Sequence, residues 1–321
     1  MQPKAPSGHA DLTRSRKWDE DTILGPGDKI GEGDTFLVED ILPSDLANVA
    51  FDNLIKEVQW NTMYHRGGEV PRLVAVEGAV APDGSEPIYR HPADESPPLL
   101  PFSPTVARIR DRVEEVLKEP VNHVLIQHYR DGMDYISEHS DKTIDVVHGS
   151  HIVNVSIGAE RVMTLRTKKD ARDAHAHEAA NGRYARAVQR VPLPHNSMLI
   201  MGLATNQKWL HSIRADKRIP TLKSAPETAF DGARVSLTFR HIGTFLTPDG
   251  NHIYGQGAKA KTREEAREVI RGGEEAEKLI EAFGKENHST EFDWEGTYGE
   301  GSDVLHFEVK DRSEHGTAKS A

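Results

Sequence analysis

The stretch Arg234-Val235-Ser236-Leu237-Thr238-Phe239-Arg240 decides how this chain folds. Val235, Leu237 and Phe239 alternate with Arg234, Ser236, Thr238 and Arg240. A period of two puts the apolar set on one face of a strand and the polar set on the other. Arginines on the inner face of a closed sheet are costly unless anions meet them. Guanidinium forks grip carboxylates in bidentate fashion, so a dicarboxylate is one such anion. A solvated edge strand would carry the same pattern.

Working outward, the second informative stretch is His139-Ser140-Asp141. On a strand, an imidazole and a carboxylate two positions apart share a face and can bind one metal ion. The distant His211 in Trp209-Leu210-His211-Ser212-Ile213 completes a set of two imidazoles and one carboxylate. That set leaves metal positions open and suits non-haem Fe(II) oxygenases. With 17 histidines in the chain, solvated loop polars would satisfy the spacing as well. His148 and His151 are rival ligands, but neither has a carboxylate two residues on.

Further motifs stand between and around these: Leu125-Ile126-Gln127-His128-Tyr129, Gly132 through Asp141, Val153 through Ala159, and Ser197-Met198-Leu199-Ile200-Met201. Taken in order, from about Val70 to Phe245, they resemble the AlkB-like Fe(II)/2-oxoglutarate dioxygenases. The resemblance implies that His139, Asp141 and His211 ligate iron. It implies that Arg234, helped by Tyr129, Gln127 and Ser236, holds the distal carboxylate of 2-oxoglutarate. It places Arg240 beside Asp141 and the proximal carboxylate, and it makes Pro71-Arg72 and Tyr89 part of a substrate lid. Gln127 and Ser236 stand where many family members carry Asn. Thr143 stands where members that read a flipped base carry a carboxylate, two residues after the metal Asp.

Composition narrows the setting. The 321 residues include 51 acidic and 40 basic side chains, for a net charge of −11, which argues against a nucleic-acid binder without excluding a local basic groove. There is no cysteine, so disulfides and thiolate ligands are excluded and a metal must take N and O donors. The N-terminal residues lack the apolar core of a secretory signal, and no apolar run reaches membrane-spanning length. The expected location is intracellular, cytoplasmic or nuclear.

Short alternating strands preceded by helices predict a mainly β protein with flanking helices. Its core would be a double-stranded β-helix, the jelly-roll or cupin-like architecture. Pro43-Ser44-Asp45 reads as a helix start with Ser44 as N-cap and a stripe of Leu46, Val49, Leu54 and Val58. Ser103-Pro104 opens a second helix, ended by Pro120. His151 to Arg166 reads as a β-hairpin turning at Gly158-Ala159-Glu160. Lys168 to Arg190 reads as a polar, basic insertion containing His175 and His177. Thr262 to Phe283 reads as an amphipathic helix interrupted at Gly272-Gly273. The domain expectation is a disordered tail over 1–22, a dioxygenase domain over 23–246, a C-terminal extension packed on the core over 247–309, and a tail over 310–321.

The expected cofactors are Fe(II) and 2-oxoglutarate as cosubstrate, with O2, giving succinate and CO2. The uncharged Thr143 and the acidic balance favour oxidation of a C–H bond in a small organic molecule, an amino-acid derivative or a specialised metabolite. The alternative is oxidative demethylation of an alkylated base in DNA or RNA.

Overall fold

The computed structural model describes residues 23–65, 68–93, 95–170 and 186–309. The two tails and most of the basic insertion, His175 and His177 included, lie outside the described residues. The main elements, in chain order, are β1 (Thr35–Glu39), α1 (Ser44–Glu57), β2 (Leu73–Gly78), β3 (Leu99–Pro101), α2 (Pro104–Leu117), β4 (His123–Tyr129) and β5 (Ile136–His139). They continue with β6 (Ile152–Gly158), β7 (Arg161–Thr167), β8 (Val188–Leu193), β9 (Ser197–Met201), α3 (Leu203–Lys208), β10 (Trp209–Ile213) and β11 (Arg234–Arg240).

Two sheets form the roll. The larger has seven strands in the order β1-β9-β6-β11-β4-β2-β3, and the smaller has four in the order β8-β7-β10-β5. From β4 onward the chain passes back and forth between them. This corrects the expected hairpin over 151–166. β6 pairs with β9 and β11, whereas β7 pairs with β8 and β10. Gly158 turns the chain out of the larger sheet at φ +114°, where a Cβ would lie 2.5 Å from the Ala233 carbonyl oxygen. Asn196, also left-handed at φ 61°, carries the chain back into the larger sheet between β8 and β9.

The alternation in β11 sorts the core. Val235, Leu237 and Phe239 face outward and pack with Val124, Ile126, Val153 and Val155 against Leu46, Ala50 and Leu54 of α1 and Val106, Ile109 and Val113 of α2. Burying each large side chain contributes about 1.5–3 kcal/mol, so this layer anchors the larger sheet. Val49 is 42% exposed and leaves the expected stripe, because Ala47 and Ala50 let α1 lie close to the sheet instead. The N-cap of α1 is Pro43, one residue earlier than expected, and no side chain caps it. Between the sheets lie Met163, Leu165, Leu199, Trp209 and Ile213.

Beyond the roll, β12 (Thr244–Leu246) and β13 (His252–Gly255) form a small sheet with Glu86–Pro87 and Arg267–Glu268. The helix expected from Thr262 begins only at Gly273: α4 spans Gly273–His288, and α5 spans Trp294–Tyr298. The two glycines start the helix rather than interrupt it, with φ +79° at Gly272 and +75° at Gly273. Leu279 and Phe283 of α4 pack with Tyr298, Val304 and Ile144, and Ile144 follows the His139-Ser140-Asp141 stretch closely. No helix among the described residues is long and apolar enough to cross a membrane.

Candidate active site

The inward face of the larger sheet is polar where three strands run abreast. Ser236 sits between Gln127 on β4 and Ser156 on β6, and Arg234 pairs with Tyr129. Together with Thr238, Arg240 and Asn154 these side chains line a cavity whose other wall holds His139, His211 and Asp141.

His139 and His211 are direct cross-strand partners on β5 and β10, with ring centroids 4.3 Å apart. Asp141 lies just past the end of β5, not on the strand as the spacing suggested. Its Oδ1 is 3.8 Å from His139 Nε2 and 3.7 Å from His211 Nε2. One ligand atom from each of the three falls within 4.8 Å of the others. The Nδ1 of His139 is 2.8 Å from the Ser137 carbonyl, to which it donates, and this leaves the Nε2 lone pair for the site. Burial holds both imidazoles below their ordinary pKa, so they are neutral at pH 7. Burial also works to protonate Asp141, but Arg240 and then the two imidazoles outweigh it and hold the carboxyl well below the carboxylate range. Three acceptor atoms converging in this way suit a metal ion.

Because no strand ladder holds the segment around Asp141, side chains do so. The backbone N–H groups of residues 140 to 143 donate in turn to Asn287 Oδ1 at 2.9 Å, Asn206 Oδ1 at 2.9 Å, Tyr89 Oη at 3.0 Å and Glu286 Oε1 at 3.0 Å. Asn206 also donates to the Asp141 carbonyl at 2.9 Å. Two of these four acceptors come from α4.

At the other end of the cavity Arg234 is 1% exposed. It donates to Ser156 Oγ at 2.7 Å and Asn154 Oδ1 at 3.0 Å, and lies 5.3 Å from the Tyr129 ring centroid. Its Nη1 has no partner among the described residues. Burial without a facing carboxylate pushes its pKa down to about 10. A buried fork with an idle donor is an anion subsite. Arg240 donates to Asp141 Oδ2 from Nε at 2.9 Å and Nη2 at 2.5 Å, and it too has an idle Nη1.

The 2OG-Fe(II) oxygenase superfamily matches residues 34–240. The chain belongs to this superfamily. Among curated relatives, the human DNA oxidative demethylase ALKBH2 is 39% identical over 142 residues, covering 44% of this chain and 48% of that protein. The Arabidopsis thaliana protein of the same name is 28% identical over 234 residues, covering 66% and 68%. The bovine alpha-ketoglutarate-dependent dioxygenase alkB homolog 3 is 26% identical over 211 residues, covering 64% of each chain. The chain thus spans about half the length of the human relative it matches.

The cavity of this superfamily member suits both Fe(II) and 2-oxoglutarate. The neutral imidazoles and ionised carboxylate match the metal, and the idle guanidinium donors match a dicarboxylate. Other residues singled out from the oxygenase's sequence sit elsewhere. Arg72 donates from Nη1 to the Tyr135 carbonyl at 2.9 Å. Tyr89 lies beneath Arg240, whose guanidinium carbon is 4.0 Å from the ring centroid. Neither lines the cavity. Thr143 donates from Oγ1 to Glu286 Oε1 at 2.5 Å. His151 pairs with Glu119 at 2.9 Å, and His148 packs on Trp294. Sequence reading missed Asn154 and Ser156 as partners of Arg234, although their spacing on β6 marks them as inward. It also missed Asn206, Glu286 and Asn287, which no local pattern betrays.

Proposed function

We propose that this dioxygenase demethylates alkylated nucleobases oxidatively, with nucleic acid as its substrate. The observation that carries the reading is the 39% identity, over 142 residues, to a protein named a DNA oxidative demethylase. The strongest objection from sequence was the uncharged Thr143. Its hydroxyl donates to the buried carboxyl group of Glu286, supplied from α4. The acidic balance of −11 favours a second reading, oxidation of a small metabolite by the same centre.

In this reading His139, Asp141 and His211 hold the iron. When bound, Fe(II) supplies the oxygen activation that couples decarboxylation of 2-oxoglutarate, to succinate and CO2, with oxidation of a substrate C–H bond. The chain does the rest. Arg234 grips the far carboxylate of the cosubstrate, with Ser156 and Asn154 fixing the fork and the Tyr129 ring covering it. Arg240 keeps Asp141 ionised and, by occupying Oδ2, leaves Oδ1 facing the two imidazoles, where it would be free to hold the metal. The apolar walls of the roll, Leu125, Ile152 and Leu199 among them, limit water around the reacting carbon.

Oxidising an N-methyl group to hydroxymethyl releases formaldehyde, so each methyl removed should yield one succinate and one formaldehyde. The test incubates the protein with Fe(II), 2-oxoglutarate and single-stranded DNA carrying 1-methyladenine, beside unmethylated DNA and an amino-acid mixture. Matched succinate and formaldehyde only with methylated DNA supports the proposal. Stimulation by the amino acids and not by methylated DNA selects the second reading.

A further inference from the structure

The strand ladder sets two of the three side chains assigned to the metal and leaves the third unset. His139 and His211 face each other across β5 and β10, whereas Asp141 lies past the end of β5. Arg240 holds the Asp141 side chain through Oδ2, but a side-chain contact alone leaves the backbone beneath it free to shift. Asn206 fixes that backbone. Its Oδ1 accepts from the Asp141 N–H at 2.9 Å, and its Nδ2 donates to the Asp141 carbonyl at 2.9 Å. These two groups also decide which amide atom is oxygen and which nitrogen. Asn287, Tyr89 and Glu286 each take the N–H of a neighbouring residue. Among the described residues, Asn206 alone engages both backbone groups of Asp141 with its side chain.

Asn206 stands on the element that leads into His211. α3 ends at Lys208 and β10 begins at Trp209, with no loop between them. The Trp209 N–H closes on the Thr205 carbonyl. α3 is itself pinned from its other side. Asp34 Oδ2 accepts from the N–H of Ala204 at 3.0 Å and of Thr205 at 3.3 Å, and the Thr205 hydroxyl donates to Asp34 Oδ1. Leu203 packs with Tyr89 and Val146. Asn206 and Asp141 are 2% and 4% exposed, so bulk water does not compete for either hydrogen bond.

We propose that Asn206 is a positioning residue for the metal centre, setting where the Asp141 carboxylate stands relative to the His211 imidazole. The inference rests on the assignment of His139, Asp141 and His211 as ligands and deepens it: a single amide couples the two ligand-bearing segments that no ladder joins. Losing a group that orients a ligand without touching the metal typically weakens metal binding by roughly ten- to a hundredfold. Without this clamp the segment keeps its attachments at Ser140, Lys142 and Thr143, so the fold persists and the aim of one oxygen is lost.

The test titrates the full chain with Mn(II) and records the visible absorption of its Co(II) form. Asn206→Ala should weaken Mn(II) binding by roughly tenfold or more and shift the Co(II) bands. Asn206→Ser, whose hydroxyl can serve one of the two backbone groups but not both, should change both readouts in the same direction. Mn(II) should raise the urea midpoint of these variants less than that of the parent, a readout that holds even for a weakly folded variant. Val113→Ala lowers stability from the buried face of α2, away from the cavity. It should keep parental Co(II) bands and an Mn(II) affinity within about twofold of the parent, as expected for an independent site. Parental Mn(II) affinity or parental Co(II) bands in both Asn206 variants, or an equal loss in Val113→Ala, would overturn the proposal. If His211→Ala leaves Mn(II) affinity unchanged, the ligand assignment itself falls. If His211→Ala weakens binding and the Asn206 variants do not, the positioning role alone is lost.

Discussion

Arg234 is buried to 1% exposure, yet among the described residues only neutral oxygens accept from it. A charge in that position is unfavourable until an anion arrives, and this is the sense of a binding fork left with an idle Nη1. Hydrogen bonds to charged groups contribute about 1.5–3 kcal/mol, equivalent to roughly ten- to a hundredfold in affinity. Arg234→Met should therefore raise the KM for 2-oxoglutarate by roughly that factor. Mn(II) affinity, measured by titration, should remain close to that of the parent. A variant in which both constants move together would mean that Arg234 holds the fold rather than the cosubstrate. His211→Ala should show the opposite pattern. Removing one of three convergent ligands should weaken Mn(II) binding at least tenfold, since loss even of a ligand's hydrogen-bonded support typically costs ten- to a hundredfold. Undiminished Mn(II) affinity in that variant would remove His211 from the ligand set.

At the level of elements, β2 and α2 meet at a carboxyl group whose charge is costly. Glu77, at the end of β2, accepts from Ser103 N at 2.8 Å and Oγ at 3.2 Å, where α2 begins. Burial raises its pKa from 4.5 to about 7, against the lowering effect of those hydrogen bonds. The folded state therefore binds this proton more tightly than the unfolded chain does. The stabilising contribution is complete below about pH 4.5 and is lost as pH rises through about 7. Glu77→Gln keeps an oxygen for Ser103 and removes the titration. Between pH 5 and pH 8 the parent should lose about 2–3 kcal/mol more stability than the variant, on the basis of about 1.36 kcal/mol per pKa unit. Urea unfolding at the two pH values measures this directly, and parallel pH profiles would count against it. The elements themselves are unevenly legible in the sequence. The two faces of β11 follow from strict alternation, because one face meets helices and the other a polar interior. The turn at Gly158 reads as a hairpin because a chain leaving one sheet for another needs the same turn residues as one reversing within a sheet. Asp141 reads as a strand residue because the spacing of two suits a strand. The hydrogen bonds that hold it instead come from Asn206, Tyr89, Glu286 and Asn287, which are distant in sequence.

Across the whole molecule, the C-terminal region is the part least visible in sequence, since α4 is rich in charge and its few apolar residues give no hint of what they cover. In the folded chain one buried ion pair ties this region to the metal-binding segment. Arg90 and Asp145 are both fully buried, with Nη2 2.7 Å from Oδ1. The same guanidinium donates to the carbonyls of Gly257 at 2.7 Å, Ser302 at 2.6 Å and Val304 at 3.1 Å. Asp145 lies four residues past Asp141, so Arg90 fastens the far end of the segment whose N–H groups depend on Asn287 and Glu286. Removing one partner of such a pair leaves a buried charge and unpaired carbonyls, at a cost of about 3–5 kcal/mol. Arg90→Met should therefore be strongly destabilised, whereas the double variant with Asp145→Leu should recover part of the loss, because no charge is left behind. If the C-terminal region also holds Asp141 in place, any folded fraction of Arg90→Met should bind Mn(II) less tightly than the parent. An Arg90→Met protein with parental unfolding midpoint and parental Mn(II) affinity would show that the pair fastens neither the fold nor the metal-binding segment.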